Sequence, residues 1–368
     1  MPLTGPMGFS GSVRRRSRTP GAPLAQRDGI DPVRVRLPAD PDGSWATVGD
    51  HLRDRFEGAI GAKRVGAMLR EGRFVGAEGA LSGAEAYRAG MFVWFHRDFA
   101  PEVPVPFEIG IVYRDERIVI ADKPHFLATT PRGRHITETA VARLRRDLSL
   151  PALQPAHRLD RLTAGLVLFV VRPEDRGTYQ NLFSGRRVRK EYEAVAPYDP
   201  GVGLPATVRS RIVKERGVIA AREEAGEPNA ESRIELAERR GGLGRYRLLP
   251  VTGRTHQLRV HMNRLGLPIL HDPVYPVVLP EAEAGDFEEP LQLLARVLEF
   301  TDPVDGRARR FESGLRLEAW GPGSRPTPPR PFPKDPGAPP QTPFAPQGRS
   351  SSNAGRAEMP NADQHQGF

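Results

Sequence analysis

From Ser44 onward, apolar side chains recur every three or four positions: Val48, Leu52 and Phe56, then Val65, Met68 and Leu69 ahead of the turn at Glu71-Gly72. That spacing gathers each trio on one face and predicts two short helices. Arg73-Phe74-Val75 and, after a glycine-rich link, Gly90-Met91-Phe92-Val93-Trp94-Phe95 are short and rich in aromatic and β-branched residues, and are predicted as strands. Further on, Ile111-Val112-Tyr113 and Ile118-Val119-Ile120 flank the charged Arg114-Asp115-Glu116, a hairpin pattern. Ala140, Val141, Leu144 and Leu148 predict a helix with Thr137 as its N-cap, and Leu258, Met262 and Leu265 one capped by Thr255 and stopped by Gly266. The longest strongly apolar run, Leu166 to Val171, is a strand pattern far short of the ~20 residues a membrane span needs. Strands, helices and hairpins, including one at Asp305-Gly306, alternate irregularly and without repeat. This order predicts an α+β fold on a mixed, mainly antiparallel sheet, rather than a doubly wound parallel one.

Outside these stretches the periodicity disappears. The segment 321–368 holds 12 of the chain's 38 prolines and few large apolar residues, too little apolar surface to offset its ordering entropy. The expected organisation is a disordered basic arm at 1–43 carrying Arg14-Arg15-Arg16, a small helix-and-strand domain at 44–99, a Pro-rich linker at 100–106, a main body at 107–320, and a disordered tail at 321–368. Charge changes this picture only slightly. The net charge is +9, with 54 Lys and Arg against 45 Asp and Glu, but more than half of the excess sits in the two flanks. The absence of cysteine excludes disulfides, thiolate nucleophiles, zinc–thiolate sites and iron–sulfur clusters. Met1 to Ser10 lacks the basic-then-apolar order of a secretory signal, so the expected location is cytoplasmic and no membrane partner is expected.

The chemistry concentrates in His157-Arg158-Leu159-Asp160-Arg161-Leu162-Thr163-Ala164-Gly165, which runs directly into the buried strand. Taken alone, an acid between two arginines is an ordinary surface ion-pair cluster. Four other blocks accompany it in order: Ala121-Asp122-Lys123-Pro124, Val188-Arg189-Lys190-Glu191-Tyr192-Glu193-Ala194-Val195, Thr252-Gly253-Arg254-Thr255-His256-Gln257-Leu258-Arg259-Val260-His261, and His271-Asp272-Pro273-Val274-Tyr275. Together they resemble the RluA-type RNA pseudouridine synthases, whose signature reads H-R-L-D-x-x-T-S/A-G. The likeness covers roughly 110 to 320. The preceding domain, through Glu71-Gly72-Arg73-Phe74-Val75-Gly76 and Ala89-Gly90-Met91-Phe92-Val93, loosely resembles an S4-type module. Two positions depart from the family pattern: His125 stands where glycine is usual, and Ala295-Arg296 where the family reads H-A.

The resemblance implies isomerisation of uridine to pseudouridine within RNA, preferably ribosomal RNA with tRNA as the alternative, by a monomer that needs no cofactor and no metal. It puts the nucleophile on Asp160, the active-site tyrosine on Tyr192 and the basic partner of the aspartate on Arg259. A guanidinium is suited to that partnership because its planar fork orients a carboxylate and keeps it charged. RNA contacts are expected from Arg158, His157, Lys123, Arg186, Arg187, Arg189, Lys190, Arg254 and His256, since a flipped base leaves a gap to fill and phosphates to hold. His256 and His261, five apart, do not have the spacing for two metal ligands on one helix. The competing reading is a non-catalytic RNA-binding or folding factor on the same scaffold.

Overall fold

The computed structural model describes residues 20–321; the Arg14-Arg15-Arg16 run and nearly all of the 321–368 tail lie outside the described residues. Strand β1 (Val33–Arg36) comes first, then helices α1 (Val48–Phe56) and α2 (Ala62–Arg70), then the short strands β2 (Val75–Gly76), β3 (Gly79–Ala80) and β4 (Phe92–Phe95). Thr47 and Asp50 form a reciprocal capping box that starts α1. The apolar trios of the two helices pack on Val35, Phe74, Val93 and Phe95, giving this module a core of its own. Its sheet runs β1-β4-β2-β3. Strand β1 pairs antiparallel with β4 from Val33–Phe95 to Arg36–Phe92, so the expectation of a disordered arm does not hold for residues 20–43. The reason is burial: Val35 and Leu37 cover the helix pair, and Arg145 holds the preceding loop by donating to the Gly29 carbonyl at 2.9 Å and the Asp31 carboxylate at 3.0 Å.

The 100–106 linker is likewise fastened. The Glu102 carboxylate accepts the backbone N–H groups of Ile136 (3.0 Å) and Thr137 (2.7 Å), and the Thr137 hydroxyl as well. That contact takes Thr137 away from the helix end. Helix α3 (Ala140–Asp147) is capped instead by Thr139, whose hydroxyl accepts the Ala142 N–H.

The main body adds β5 (Gly110–Arg114), β6 (Ile118–Lys123), β7 (Gln154–Pro155), β8 (Ala164–Val170), α4 (Arg176–Ser184), β9 (Val188–Pro197), β10 (Ala206–Val213), β11 (Arg222–Glu224), β12 (Ala230–Arg240), β13 (Leu243–Pro250), α5 (Gln257–Arg264), β14 (Leu293–Thr301) and β15 (Ala308–Glu312). One sheet carries all the strands, in the order β11-β10-β12-β13-β9-β14-β8-β6-β5, with β15 on β14 and β7 on β8. Only β14 and β8 pair in parallel; the other neighbours are antiparallel. The fold is therefore α+β with a mixed, mainly antiparallel sheet. Every residue of β8 is buried, as its uninterrupted apolar sequence requires of a central strand. Among the described residues, no helix is long and apolar enough to cross a membrane.

Candidate active site

The loop before β8 is pinned through its backbone. The Thr129 hydroxyl donates to the Leu159 carbonyl (2.8 Å) and accepts the Leu159 N–H (3.1 Å), while the Thr163 N–H donates to the Asp160 carbonyl (3.1 Å). Beneath it, the fully buried Lys123 ammonium donates to the carbonyls of Pro124, Leu127 and Arg161 at 2.9, 2.8 and 3.4 Å. Burial pulls the Lys123 pKa down to about 7, and the charge of Asp160 works against that fall. These bonds leave the Asp160 side chain on the wall of a solvent-open cleft whose cavity volume is about 140 Å³.

The rest of the wall comes from the centre of the sheet. Registers of the three adjacent strands set Tyr192, Ala295 and Gly165 in one row. Gly165 has a φ of +112°, and a Cβ there would meet the Ala295 carbonyl oxygen at 2.3 Å, so only glycine lets β8 approach β14 this closely. Tyr192 borders two core clusters and lines the cleft. Burial, and then the charge of Asp160, push its phenol far above the usual value, so the hydroxyl keeps its proton.

Helix α5 delivers Arg259, which is 3 % exposed. The expected pairing with Asp160 is present as an ion pair, but the fork of the guanidinium is turned elsewhere. Nε and Nη2 of Arg259 grip the buried Asp272 carboxylate at 2.7 and 2.6 Å, and only Nη1 faces Asp160, 4.0 Å from Oδ2. Burial alone would lower the Arg259 pKa, but hydrogen bonding and charge from Asp272 outweigh it and hold it above the ordinary arginine value. Thr255 is not the cap of α5. His256 occupies that position at φ +58°, a left-handed conformation that turns its ring toward the site. Its Nε2 stands 3.8 Å from Asp160 Oδ2 and its Nδ1 3.1 Å from the Tyr275 hydroxyl. Burial, reinforced by Arg259, brings its pKa to about 4, so it is neutral near pH 7.

The other expected RNA contacts separate into three groups. Arg158 and Arg254 are exposed and, with the half-buried Lys190, line the cleft. Lys190 donates to the Thr252 carbonyl at 3.2 Å. Arg186 and Arg187 are exposed at the turn before β9 but do not line the cleft, and Arg189, on the opposite face of β9 from Lys190, pairs with Glu299 at 2.8 Å. Lys123 and His157 do not reach the cleft. His157 accepts the Leu168 N–H, stacks on Phe183 with ring centroids 4.2 Å apart, and is brought by burial to a pKa of about 3. His125, at its unusual position, bonds the Leu162 carbonyl through Nδ1 at 2.7 Å. His261 faces the Ser210 hydroxyl at 3.1 Å. Among the described residues, no group of three or more His, Asp or Glu side chains is placed to hold a metal ion.

Two participants carried no signal of their own in the sequence. Asp272 and Tyr275 stood in a recognised block without a role. The Tyr275 hydroxyl donates to the Ala221 carbonyl and accepts the Ala221 N–H, both at 2.8 Å, and its ring lies 5.3 Å from the Arg259 guanidinium carbon.

A family model described as RNA pseudouridylate synthase matches residues 117–264. The chain is 31% identical over 290 residues to the ribosomal large subunit pseudouridine synthase D of Pseudomonas aeruginosa, covering 72% of this chain and 85% of that one. It is 32% identical over 210 residues to the dual-specificity RNA pseudouridine synthase RluA of Escherichia coli, covering 55% and 91%. The mitochondrial tRNA pseudouridine(32) synthase of Saccharomyces cerevisiae is 30% identical over 184 residues, which span 49% of this chain and only 39% of that protein. Among solved structures, human RNA pseudouridylate synthase domain containing 1 aligns with a TM-score of 0.46 at 24% identity, over 56% of this chain and 84% of that one. With the Asp160 loop, Tyr192 and Arg259 converging on one cleft, and the Pseudomonas and Escherichia relatives matched over most of their length, the chain belongs to the RluA-type family of RNA pseudouridine synthases.

Proposed function

We propose that this synthase modifies ribosomal RNA, with Asp160 as nucleophile, Arg259 as its oriented guanidinium partner and Tyr192 beneath the uracil. The observation that carries the catalytic reading is the bare Asp160 carboxylate on a backbone-pinned loop in the cleft, with Arg259 Nη1 at 4.0 Å. A carboxylate held this way attacks C1′ of a flipped-out uridine, and the glycosidic electron pair leaves on N1. The uracil then turns, C5 displaces the carboxylate to form the C–C bond, and the C5 proton is lost while N1 gains one. No oxidant or reductant enters the balance. A Tyr192 phenol that keeps its proton acts as a relay: it takes the C5 proton as it passes its own to the freed Asp160 carboxylate, which releases that proton to solvent as N1 takes one up, so both side chains return to their starting states.

Ribosomal RNA is favoured because the match to the Pseudomonas large-subunit enzyme runs over 290 residues, more than the main body alone supplies. The helix-helix-strand order of the small module supports reading it as S4-like, a carrier that brings the cleft to folded RNA. Mapping pseudouridine by carbodiimide-stop sequencing in a strain lacking the gene tests the assignment. A single ribosomal site should disappear and return with the wild-type gene but not with Asp160→Asn. Loss confined to tRNA would reject the ribosomal substrate.

A further inference from the structure

Arg259 has more donors than the nucleophile uses, and their allocation is informative. The Nε/Nη2 edge is occupied by Asp272 at 2.7 and 2.6 Å, leaving Nη1 to face Asp160 at 4.0 Å. Asp272 is itself immobile: its side chain is completely buried, and its Oδ1 also accepts the N–H groups of Val274 (2.8 Å) and Tyr275 (3.1 Å). The Tyr275 ring flanks the same guanidinium at 5.3 Å, and its hydroxyl is tied to Ala221 at both backbone atoms. The guanidinium is thus clamped along one edge, and its orientation is set before any RNA arrives.

Charge balance points the same way. Arg259 carries one positive charge against two carboxylates, and the shorter, bidentate contacts go to Asp272. Were the fork to close on Asp160 instead, both carboxylate oxygens would be engaged by strong donors, which would lower their nucleophilicity toward a sugar carbon. A guanidinium already gripped by Asp272 presents only Nη1 to Asp160, at an ion-pair distance of 4.0 Å: enough to orient the carboxylate, too little to quench it.

We infer that Asp272 is a positioning residue for the isomerisation: by holding the Nε/Nη2 edge of Arg259 it keeps that arginine from sequestering Asp160 and turns Nη1 toward the reacting carboxylate. The inference rests on the function proposed above and extends it to a residue that never touches the substrate.

The experiment measures tritium release from total RNA labelled with 5-tritiated uridine in cells lacking the gene, with enzyme in excess and its concentration varied. This separates the maximal rate from the half-saturating enzyme concentration. Asp272→Asn should lower the maximal rate about 100-fold while half-saturation moves less than about 3-fold, because only the transition-state arrangement changes. Arg259→Lys, which leaves Asp272 a cationic partner but no fork, should lose about as much, and the double variant less than about 3-fold more than either single one, since the two residues act as a unit. A purely structural role would raise half-saturation and lower the thermal midpoint with the rate. If Asp272→Asn does not fold, Arg259→Lys decides: a maximal rate within about 3-fold of wild type overturns the inference. Losses that multiply in the double variant also overturn it. A wild type that releases no tritium from any RNA defeats the proposed function together with this assignment, whereas an active wild type with an unaffected Asp272→Asn defeats this assignment alone.

Discussion

His157 Nε2 accepts the backbone N–H of Leu168 at 3.1 Å, a bond that only an unprotonated nitrogen can make. The residue that opens the motif around the nucleophile is therefore a clamp between the loop and β8. Burial lowers its pKa to about 3, below the 6.5 of a free histidine, with the charge of Lys190 adding to the fall. Between those values the unfolded chain takes up a proton that the folded one refuses, so the stability contributed by neutral His157 is complete above pH 6.5 and drains away as pH falls toward 3. The unfolding midpoint of the wild type should drop from pH 7 to pH 5. His157→Gln, which keeps an acceptor but cannot titrate, should show a shallower drop, by up to about 1.4 kcal/mol per pH unit. Parallel curves for the two proteins would remove His157 from the acid response.

Gly165→Ala tests the packing behind the nucleophile. The added Cβ would meet the Ala295 carbonyl oxygen at 2.3 Å and its nitrogen at 2.7 Å, in a backbone conformation that alanine rarely adopts. Both atoms belong to the main chain of a central strand and cannot rotate away. The β8–β14 pairing should open or shift, at a cost of about 3 kcal/mol or more. Chemical denaturation would read this as a lower midpoint; an unchanged midpoint would mean that the strands have room the registers do not suggest.

Much of this architecture was legible beforehand because it depends on local pattern. The helix trios of the small module, the β5–β6 hairpin and the buried run of β8 follow from spacing and chain reversal alone. What was missed depends on contacts between distant segments. Thr137 had the right chemistry for a cap, but Glu102, 35 residues earlier, claims it. The alternation Val33-Arg34-Val35-Arg36 is a strand pattern too short to stand alone, and β1 exists because β4 pairs with it. At the site, the motifs gave the identities of Asp160, Tyr192 and Arg259 but not the direction of the guanidinium, since Asp272 lies 13 residues away across a turn. Lys123 and His157 look like RNA ligands by residue type; the full burial of Lys123 and the backbone bonds that both side chains make, which no sequence window reveals, make them supports.

The division between supports and contacts has a salt signature. Arg158 and Arg254 are exposed on the cleft wall, where phosphates can reach them. Replacing either with alanine should weaken RNA binding and reduce the slope of log affinity against log salt by about 0.7–0.9, the effect of one lost phosphate contact. His157→Gln should leave the slope unchanged. Filter binding at several salt concentrations measures both, and a His157→Gln slope that falls like those of the arginine variants would contradict its assignment as a support.

The sharpest test of the chemistry concerns Tyr192. Its ring borders two core clusters, so Tyr192→Phe should fold and bind RNA as the wild type does, while losing the hydroxyl. Because burial and Asp160 hold that phenol far above its ordinary pKa, it cannot serve as a standing tyrosinate base, and a rate that rises with pH through tyrosinate formation is not expected below pH 10. If it relays the C5 proton, the variant should isomerise about 100-fold more slowly, the usual worth of a positioned acid–base group. The loss should fall on the last step, after the C5–C1′ bond has formed. Rapid quench of the variant reaction should then reveal RNA in which the C–C bond is made while C5 still carries its tritium, a species the wild type would not accumulate. A slow variant without that species would move the role of Tyr192 to an earlier step, such as stacking on the departing uracil, and a variant as fast as wild type would remove its hydroxyl from the mechanism.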